Sequence, residues 1–356
     1  MSDPYTLRIL ELDGGGERGY LSLNFLSQFV QLWGINPNEL WKYFDVICGT
    51  SIGGMMALAL AIGKSTDDLS PLFTTQGKLI FSTNGVPSNR ATTFDKLYSI
   101  GVSGVPFYGT DPGTGYGSAL LTSEIQSLFG TMTMQDLLTN SIIPTYKVEF
   151  KEGTTNIDTG VYTLCSNAIF SDFVGQNELI SNVALVTSAA PFYLPSIVLN
   201  NTNPKTLSGR YIDGGVYQNN PASFGLNLAK MLKPLCNRAC VLSIGTGLGE
   251  MGFNDDNSSL VGLSADPIIS VSNLFSLFDI SGTGGQESVA KNLYLNSTYT
   301  LDQLYYYRFQ PILDLNQDTE LDNTSDEILT YYEDTASTWF NEDEENIITF
   351  LGHLMA

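Results

Sequence analysis

Residues 7–12 are apolar at Leu7, Ile9, Leu10 and Leu12 and run directly into three glycines. Such a short apolar run, closed by a turn signal, predicts a buried strand. Leu21, Phe25, Phe29 and Leu32 then recur near helical spacing, so a helix is expected to follow. The same alternation repeats along the chain. Phe44–Cys48 reads as a second strand, Gly49–Gly54 as a tight turn and Met55–Ile62 as a buried helix. The stretch 80–118 is rich in loop residues. Further strands are expected near Tyr146–Phe150, Val161–Asn167, Tyr211–Asp213 and Ala239–Ile244, with helices at Leu179–Ser188 and Ala222–Leu232. Strands alternating with helices at these intervals predict βαβ units and a largely parallel sheet, an α/β fold class. No internal repeat is visible.

The tail differs in character. After Arg308 there is no Lys or Arg, while 12 Asp or Glu occur. A helix is expected around residues 325–352, with Ser325 as its N-cap and acidic side chains in its first turn. Such a run reads first as the solvated face of a C-terminal helix, and second as a partner-binding or autoregulatory tail. The expected organisation is one main domain over residues 1–310 and an acidic helical extension over 311–356, packed on that domain.

Charge narrows the partners. The 356 residues carry 37 acidic and 16 basic side chains, a net charge of −21. Nucleic acid is an unsuitable partner, because basic side chains must displace its counterions. Purely electrostatic docking on anionic lipid is disfavoured for the same reason. The longest apolar run, Met55–Ile62, falls short of the roughly 18–20 residues that span a bilayer. The Met-Ser-Asp-Pro-Tyr start has neither a basic nor an apolar leader segment. The expectation is therefore a chain made in the cytoplasm without a signal peptide or transmembrane helix, with signal-peptide-independent export left open. Cys48, Cys165, Cys236 and Cys240 show no metal-binding spacing and read as reduced, mostly buried side chains.

Three motifs carry chemistry. The first is Gly49-Thr50-Ser51-Ile52-Gly53, a G-x-S-x-G between an expected strand and an expected helix. That context suits a nucleophile elbow, in which the glycines allow a sharp turn that lifts the serine hydroxyl clear of the sheet. A nucleophilic serine ordinarily needs a histidine base, yet the chain has one histidine, His353, close to its end. A carboxylate tuned by its surroundings can serve instead. The second motif is Asp13-Gly14-Gly15-Gly16-Glu17-Arg18-Gly19. Consecutive glycines can aim backbone N–H groups at an oxyanion. Gly14, Gly16 and Gly19 also spell G-x-G-x-x-G, so a dinucleotide site competes, although the next strand ends at Cys48-Gly49 without the acid such a site wants. The third motif is Asp213-Gly214-Gly215, which alone reads as a turn and, beside Ser51, as an exposed carboxylate on a defined backbone.

Taken in order, these three motifs resemble the patatin-like phospholipases, serine lipid acyl hydrolases. Thr187–Pro195, Asn219-Asn220-Pro221 and Leu242–Gly247 agree, and the likeness runs from about residue 7 to 250, weakening to about 310. The resemblance implies a three-layer α/β/α fold and a Ser-Asp dyad. Ser51 would be the nucleophile and Asp213 the base. Gly14, Gly15 and Gly16 would form the oxyanion hole, with Arg18 holding the loop or the phosphate side. Gly19, Gly49, Gly53, Gly214 and Gly215 would shape the turns. It implies a membrane lipid substrate met by peripheral contact, and no cofactor or metal. The charge of −21 leaves room for an activator. The acyl pocket is expected from Met55, Met56, Leu58, Phe192, Tyr193 and Leu194, and its mouth from Phe107, Tyr108 and Tyr116. A catalytically weak binding or storage protein on the same fold is the other reading, followed by a dinucleotide-dependent oxidoreductase.

Overall fold

The structure is a computed structural model, described here for residues 6–82, 116, 118–148, 160–165, 177–191, 193–200, 208–249, 284–297, 303–314 and 316–356. Its strands are β1 (Thr6–Leu12), β2 (Val46–Gly49), β3 (Asn140–Lys147), β4 (Gly160–Cys165), β5 (Ile197–Leu199), β6 (Gly209–Asp213), β7 (Arg238–Ile244) and β8 (Gln303–Phe309). The main helices are α1 (Gly19–Trp33), α2 (Ile52–Ala61), α3 (Ser118–Phe129), α4 (Ile180–Thr187), α5 (Ala222–Leu232), α6 (284–297), α7 (Asp326–Glu342) and α8 (Glu344–Met355).

All eight strands form one sheet, ordered β5-β6-β3-β2-β1-β7-β8 with β4 beside β3. The pairs β3–β2, β2–β1, β1–β7 and β7–β8 are parallel. The pairs β3–β4, β3–β6 and β5–β6 are antiparallel. β1 is buried along its whole length, as a central parallel strand covered on both faces must be. Alternation along it feeds two cores. Leu10 and Leu12 join Ile47, Leu242 and Ile244 beneath α1, α2, α4 and α7. Leu7 and Ile9 join Val46, Cys48 and Val241 beneath α5 and α6. The sheet is thus the middle layer of three.

The register of β3 decides what meets what. Ile142 pairs with Cys48 on one side and Cys165 on the other, so β2 and β4 lie on opposite edges of β3. Thr145 pairs with both Tyr162 and Asp213, so β6 and β4 are also on opposite edges. β2 and β6 therefore share one edge of β3. They run towards each other, and their C-terminal ends, Gly49 and Asp213, meet.

The acidic tail forms two helices rather than one. Ser325 caps α7, its side chain accepting the Ile328 N–H. The chain leaves helical geometry at Asp343, whose carboxylate accepts the Tyr307 hydroxyl at 2.7 Å and the Asn346 amide at 2.6 Å. The break falls within four consecutive acids, Glu342–Glu345, and sets Glu344 and Glu345 in the first turn of α8, where the helix dipole favours them. Both helices pack on the sheet domain. Phe25 meets Phe340 with ring centroids 5.8 Å apart, Tyr20 donates to Glu333 at 2.5 Å, and Arg8 Nε donates to the Leu354 carbonyl at 2.7 Å.

Close approach makes one helical glycine obligatory. A β-carbon at Gly53 in α2 would stand 2.3 Å from the Leu12 carbonyl oxygen and 2.4 Å from that of Asp13. Gly53→Ala should therefore destabilise the fold by about 2 kcal/mol, although Ala is the better helix former. At Gly352 in α8 no atom of the described residues beyond its own helical turn lies within 4 Å of such a carbon, and Gly352→Ala should stabilise by about 0.5–1 kcal/mol. Urea unfolding midpoints of the two variants should move in opposite directions.

Candidate active site

Ser51 sits between β2 and α2 with φ 57° and ψ −126°. Among the described residues it is the one non-glycine with positive φ. A side chain held there stores roughly 1–3 kcal/mol of backbone strain, so the surroundings must hold it in place. They do so through backbone groups on either side. The Ser51 N–H donates to Thr187 Oγ1 at 3.0 Å, and that hydroxyl donates to the Pro144 carbonyl at 2.7 Å. The Thr50 N–H donates to the Leu12 carbonyl at 3.3 Å, and Thr50 Oγ1 to the Gln218 carbonyl at 2.7 Å. The strained turn is thus tied to β1, β3, α4 and the loop after β6. It also sets Ser51 at the N-terminus of α2, where the helix dipole favours negative charge.

Asp213 ends β6 and is 2% exposed. Its N–H donates to the Ala189 carbonyl at 2.9 Å, and its carboxylate accepts the Gly215 N–H at 2.6 Å. Burial pushes its pKa up to about 7, against the opposing pull of hydrogen bonds from the Ser51 hydroxyl and the Gly215 N–H. The serine and the carboxyl thus line one pocket at the meeting point of β2 and β6.

The glycine loop lies alongside, after the C-terminal end of β1. Gly14 donates its N–H to the Asn219 carbonyl at 3.2 Å, and its own carbonyl accepts Asn219 Nδ2 at 3.2 Å and Thr246 Oγ1 at 3.0 Å. Gly14 therefore holds the loop and has no N–H left to offer. Among the described residues the N–H groups of Gly15 and Gly16 have no partner, and both residues line the pocket that Ser51 and Asp213 enter. Arg18 lines it too, with its Nε buried and unpaired among the described residues. Gly19 opens α1 against Ile52, Gly49 ends β2, and Gly214 and Gly215 make the turn after β6.

The rest of the pocket is apolar. Met55, Tyr193 and Leu194 line it, joined by Leu72, Phe81 and Leu121. Met56 and Leu58 face the core instead, fully buried under the sheet. Phe192, Phe107 and Tyr108 lie outside the described residues. Tyr116 is buried, its hydroxyl donating to Asp322 at 2.7 Å.

Two features of the site had no motif to announce them. Arg308 on β8 reaches Asp13, with Nη1 to Oδ1 at 3.0 Å and Nη2 to Oδ2 at 2.5 Å. Its Nη1 also donates to Ser243 Oγ at 2.9 Å and lies 3.7 Å from Glu11. Burial and the Asp13 charge beside it hold the Glu11 carboxyl well above the usual carboxylate range. The other is Leu321, from the acidic tail, whose carbonyl accepts the Glu17 N–H at 2.8 Å. Glu17 is itself buried, and desolvation raises its carboxyl well above its ordinary range.

His353 is remote from all of this. Its ring stacks on Tyr305 at 3.8 Å, and its carbonyl accepts Arg238 Nη2 at 2.7 Å, at the N-terminal ends of β7 and β8. A seven-residue strand is about 23 Å long, and Ser51 is at the other end of the sheet. Among the described residues, no group of three His, Cys, Asp or Glu side chains could hold a metal ion, and no helix is long and apolar enough to cross a membrane. Beside the glycine loop, β2 ends at Gly49 with no acid for a ribose.

A strained serine, a buried carboxyl and a glycine loop at the C-terminal edge of a parallel sheet define an α/β protein with a serine-centred site. The chain belongs to the patatin-like phospholipase family, whose model matches residues 10–225. A cGAMP-activated phospholipase of Vibrio cholerae is 33% identical over 229 residues, covering 62% of this chain and 57% of its own. Patatin-like protein 1 of Oryza sativa subsp. indica is 30% identical over 270 residues, covering 67% and 58%. This chain thus spans a little over half the length of these relatives. The crystal structure of VipD from Legionella pneumophila aligns at a TM-score of 0.43 and 13% identity, over 96% of this chain and 68% of that one.

Removing one partner of a buried ion pair leaves an uncompensated charge. Arg308→Gln should cost about 3–5 kcal/mol in urea unfolding, and adding Asp13→Asn should recover part of that loss.

Proposed function

We propose that the protein is a lipid acyl hydrolase of the phospholipase A type, working through a Ser51–Asp213 dyad. The observation that carries this reading is one pocket lined by both a strained serine and a buried carboxyl whose pKa is raised to about 7. A carboxylate at its ordinary pKa near 4 is a weak base at neutrality. One raised to about 7 is matched to general base work there.

Ser51 Oγ attacks the ester carbonyl carbon while its proton passes to Asp213. The carbonyl oxygen, now negative, accepts hydrogen bonds from the Gly15 and Gly16 N–H groups and lies near the N-terminus of α2. Losing one such donor typically costs about 10²–10³ in rate. The intermediate collapses, the C–O bond to the alcohol breaks, and Asp213 returns the proton to the leaving oxygen. Water then repeats the cycle on the acyl-serine, releasing the fatty acid. The apolar wall of Met55, Leu72, Phe81 and Leu121 suits an acyl chain. The substrate class follows from that wall and from the family. The contact with a bilayer would be peripheral. The net charge of −21 favours a zwitterionic surface over an anionic one. Activation by a small molecule, as the name of the Vibrio relative states for that protein, is the reading to test if the isolated chain is silent.

Free fatty acid release from phosphatidylcholine vesicles is the direct test. Wild type should release it, and Ser51→Ala and Asp213→Asn, both folded, should not. Equal release by all three proteins would remove the dyad. The pH profile of kcat/KM should fall below about pH 7 with unit slope as Asp213 takes up its proton.

Stability should move the other way. Because the folded-state pKa of Asp213 is raised, the native protein binds that proton more tightly than the unfolded chain. The resulting stability is complete below about pH 4 and is lost as pH rises through about 7. Asp213→Asn carries no such burden. Its Tm should exceed that of wild type at pH 8, and the difference should shrink as the pH is lowered towards 4.

A further inference from the structure

The family match ends at residue 225, yet the pocket does not. Leu321, in the acidic segment between β8 and α7, lines it together with Ser51 and Asp213. We propose that Leu321 is a specificity-determining residue, its side chain bounding the space beside the ester carbonyl and limiting how bulky the acyl group can be next to that carbonyl. This rests on the acyl hydrolase reading above.

Three contacts place it there. The Leu321 carbonyl accepts the Glu17 N–H at 2.8 Å, which docks the segment on the turn that carries the unpaired Gly15 and Gly16 N–H groups. Gly16 adopts φ +55°, and a β-carbon on it would stand 2.3 Å from the Leu321 carbonyl oxygen and 3.0 Å from the Leu321 β-carbon. A bound carbonyl oxygen must lie about 3 Å from those N–H groups to be stabilised by them, so the Leu321 side chain flanks the reacting carbonyl. Neighbouring Asp322 is fully buried and accepts the Tyr116 hydroxyl at 2.7 Å.

The segment is also built to stay put. The Asn323 N–H donates to the Glu320 carbonyl at 3.2 Å, and Asn323 Nδ2 closes the turn onto the Asp318 carbonyl at 2.7 Å. Upstream, the Asp314 N–H donates to the Tyr331 hydroxyl at 2.7 Å, and the Leu313 N–H to the Leu248 carbonyl at 2.8 Å. Leu321 is half-buried, one side against the turn and one towards the pocket. A wall held at both ends can discriminate, because it does not yield to a larger substrate at little cost.

The test uses the full chain and two p-nitrophenyl esters with the same leaving group, the straight hexanoate and the α-branched 2-ethylhexanoate. Leu321→Ala should raise the kcat/KM ratio of branched to straight ester by about tenfold or more, a pocket difference of this size being worth about 10–200-fold. Leu321→Phe should lower the ratio, and Leu321→Met, close in volume, should leave it near wild type. Should Leu321→Ala fail to fold, Leu321→Phe still reads the effect in the opposite direction. Hydrolysis of the hexanoate by all variants with one unchanged ratio overturns the inference and leaves the serine reading standing. If wild type hydrolyses neither ester and a fluorophosphonate does not label Ser51, the serine reading falls and the inference falls with it.

Discussion

The site depends on a meeting of strand ends. β2 and β6 approach from opposite directions along one edge of β3, and the residues just beyond or at their C-terminal ends are Ser51 and Asp213. Had β6 run parallel to β3, Asp213 would point away from the elbow. The antiparallel turn of the sheet at this edge therefore brings both residues to one pocket. The strain at Ser51 is held by the Thr187 hydroxyl, which links the elbow N–H to the Pro144 carbonyl of β3. The strand that sets the geometry thus also supplies the restraint.

Around that meeting point, most polar groups are spent on holding loops. Gly14 uses both its N–H and its carbonyl, Asn219 both its amide and its backbone, and Asp13 both its carboxylate oxygens. Among the backbone N–H groups of Gly14, Gly15 and Gly16, those of Gly15 and Gly16 remain unpaired within the described residues. Buried polar groups are nearly always satisfied, so donors left open at a pocket are informative about what the pocket receives. The acidic tail belongs to the same structure. It contributes Leu321 to the pocket and ties α7 and α8 to β8 through Asp343.

Much of this was legible because it is local. A strand running into glycines and then a helix is a backbone requirement, and it can be read at Gly14–Gly16 and at Gly49–Gly53 without knowing the partners. The absence of a histidine near the motifs counted against a triad. What could not be read was set by distant pairing. β5 is only three residues long, and β8, Gln-Leu-Tyr-Tyr-Tyr-Arg-Phe, shows no alternation because both its faces meet protein. The ion pair of Arg308 with Asp13 joins residues 295 positions apart, and nothing near either one signals it. Of the strand expected at Tyr146–Phe150, Tyr146 and Lys147 end β3, which begins at Asn140, and residues 149–150 lie outside the described residues. The single helix expected over 325–352 divides at Asp343, where Tyr307 takes its carboxylate. Gly14 looked like an oxyanion donor by position, and only the Asn219 carbonyl shows that its N–H is already engaged.

The central claim is that the Asp213 carboxylate activates Ser51 at neutral pH. The most direct measurement is the rate at which a fluorophosphonate modifies Ser51, located by mass spectrometry, from pH 5 to 9. The account predicts a rate that rises through a single ionisation near pH 7 in wild type. It predicts a slow, pH-independent rate in Asp213→Asn. Equal rates in the two proteins at pH 8, or modification of a residue other than Ser51, would contradict it.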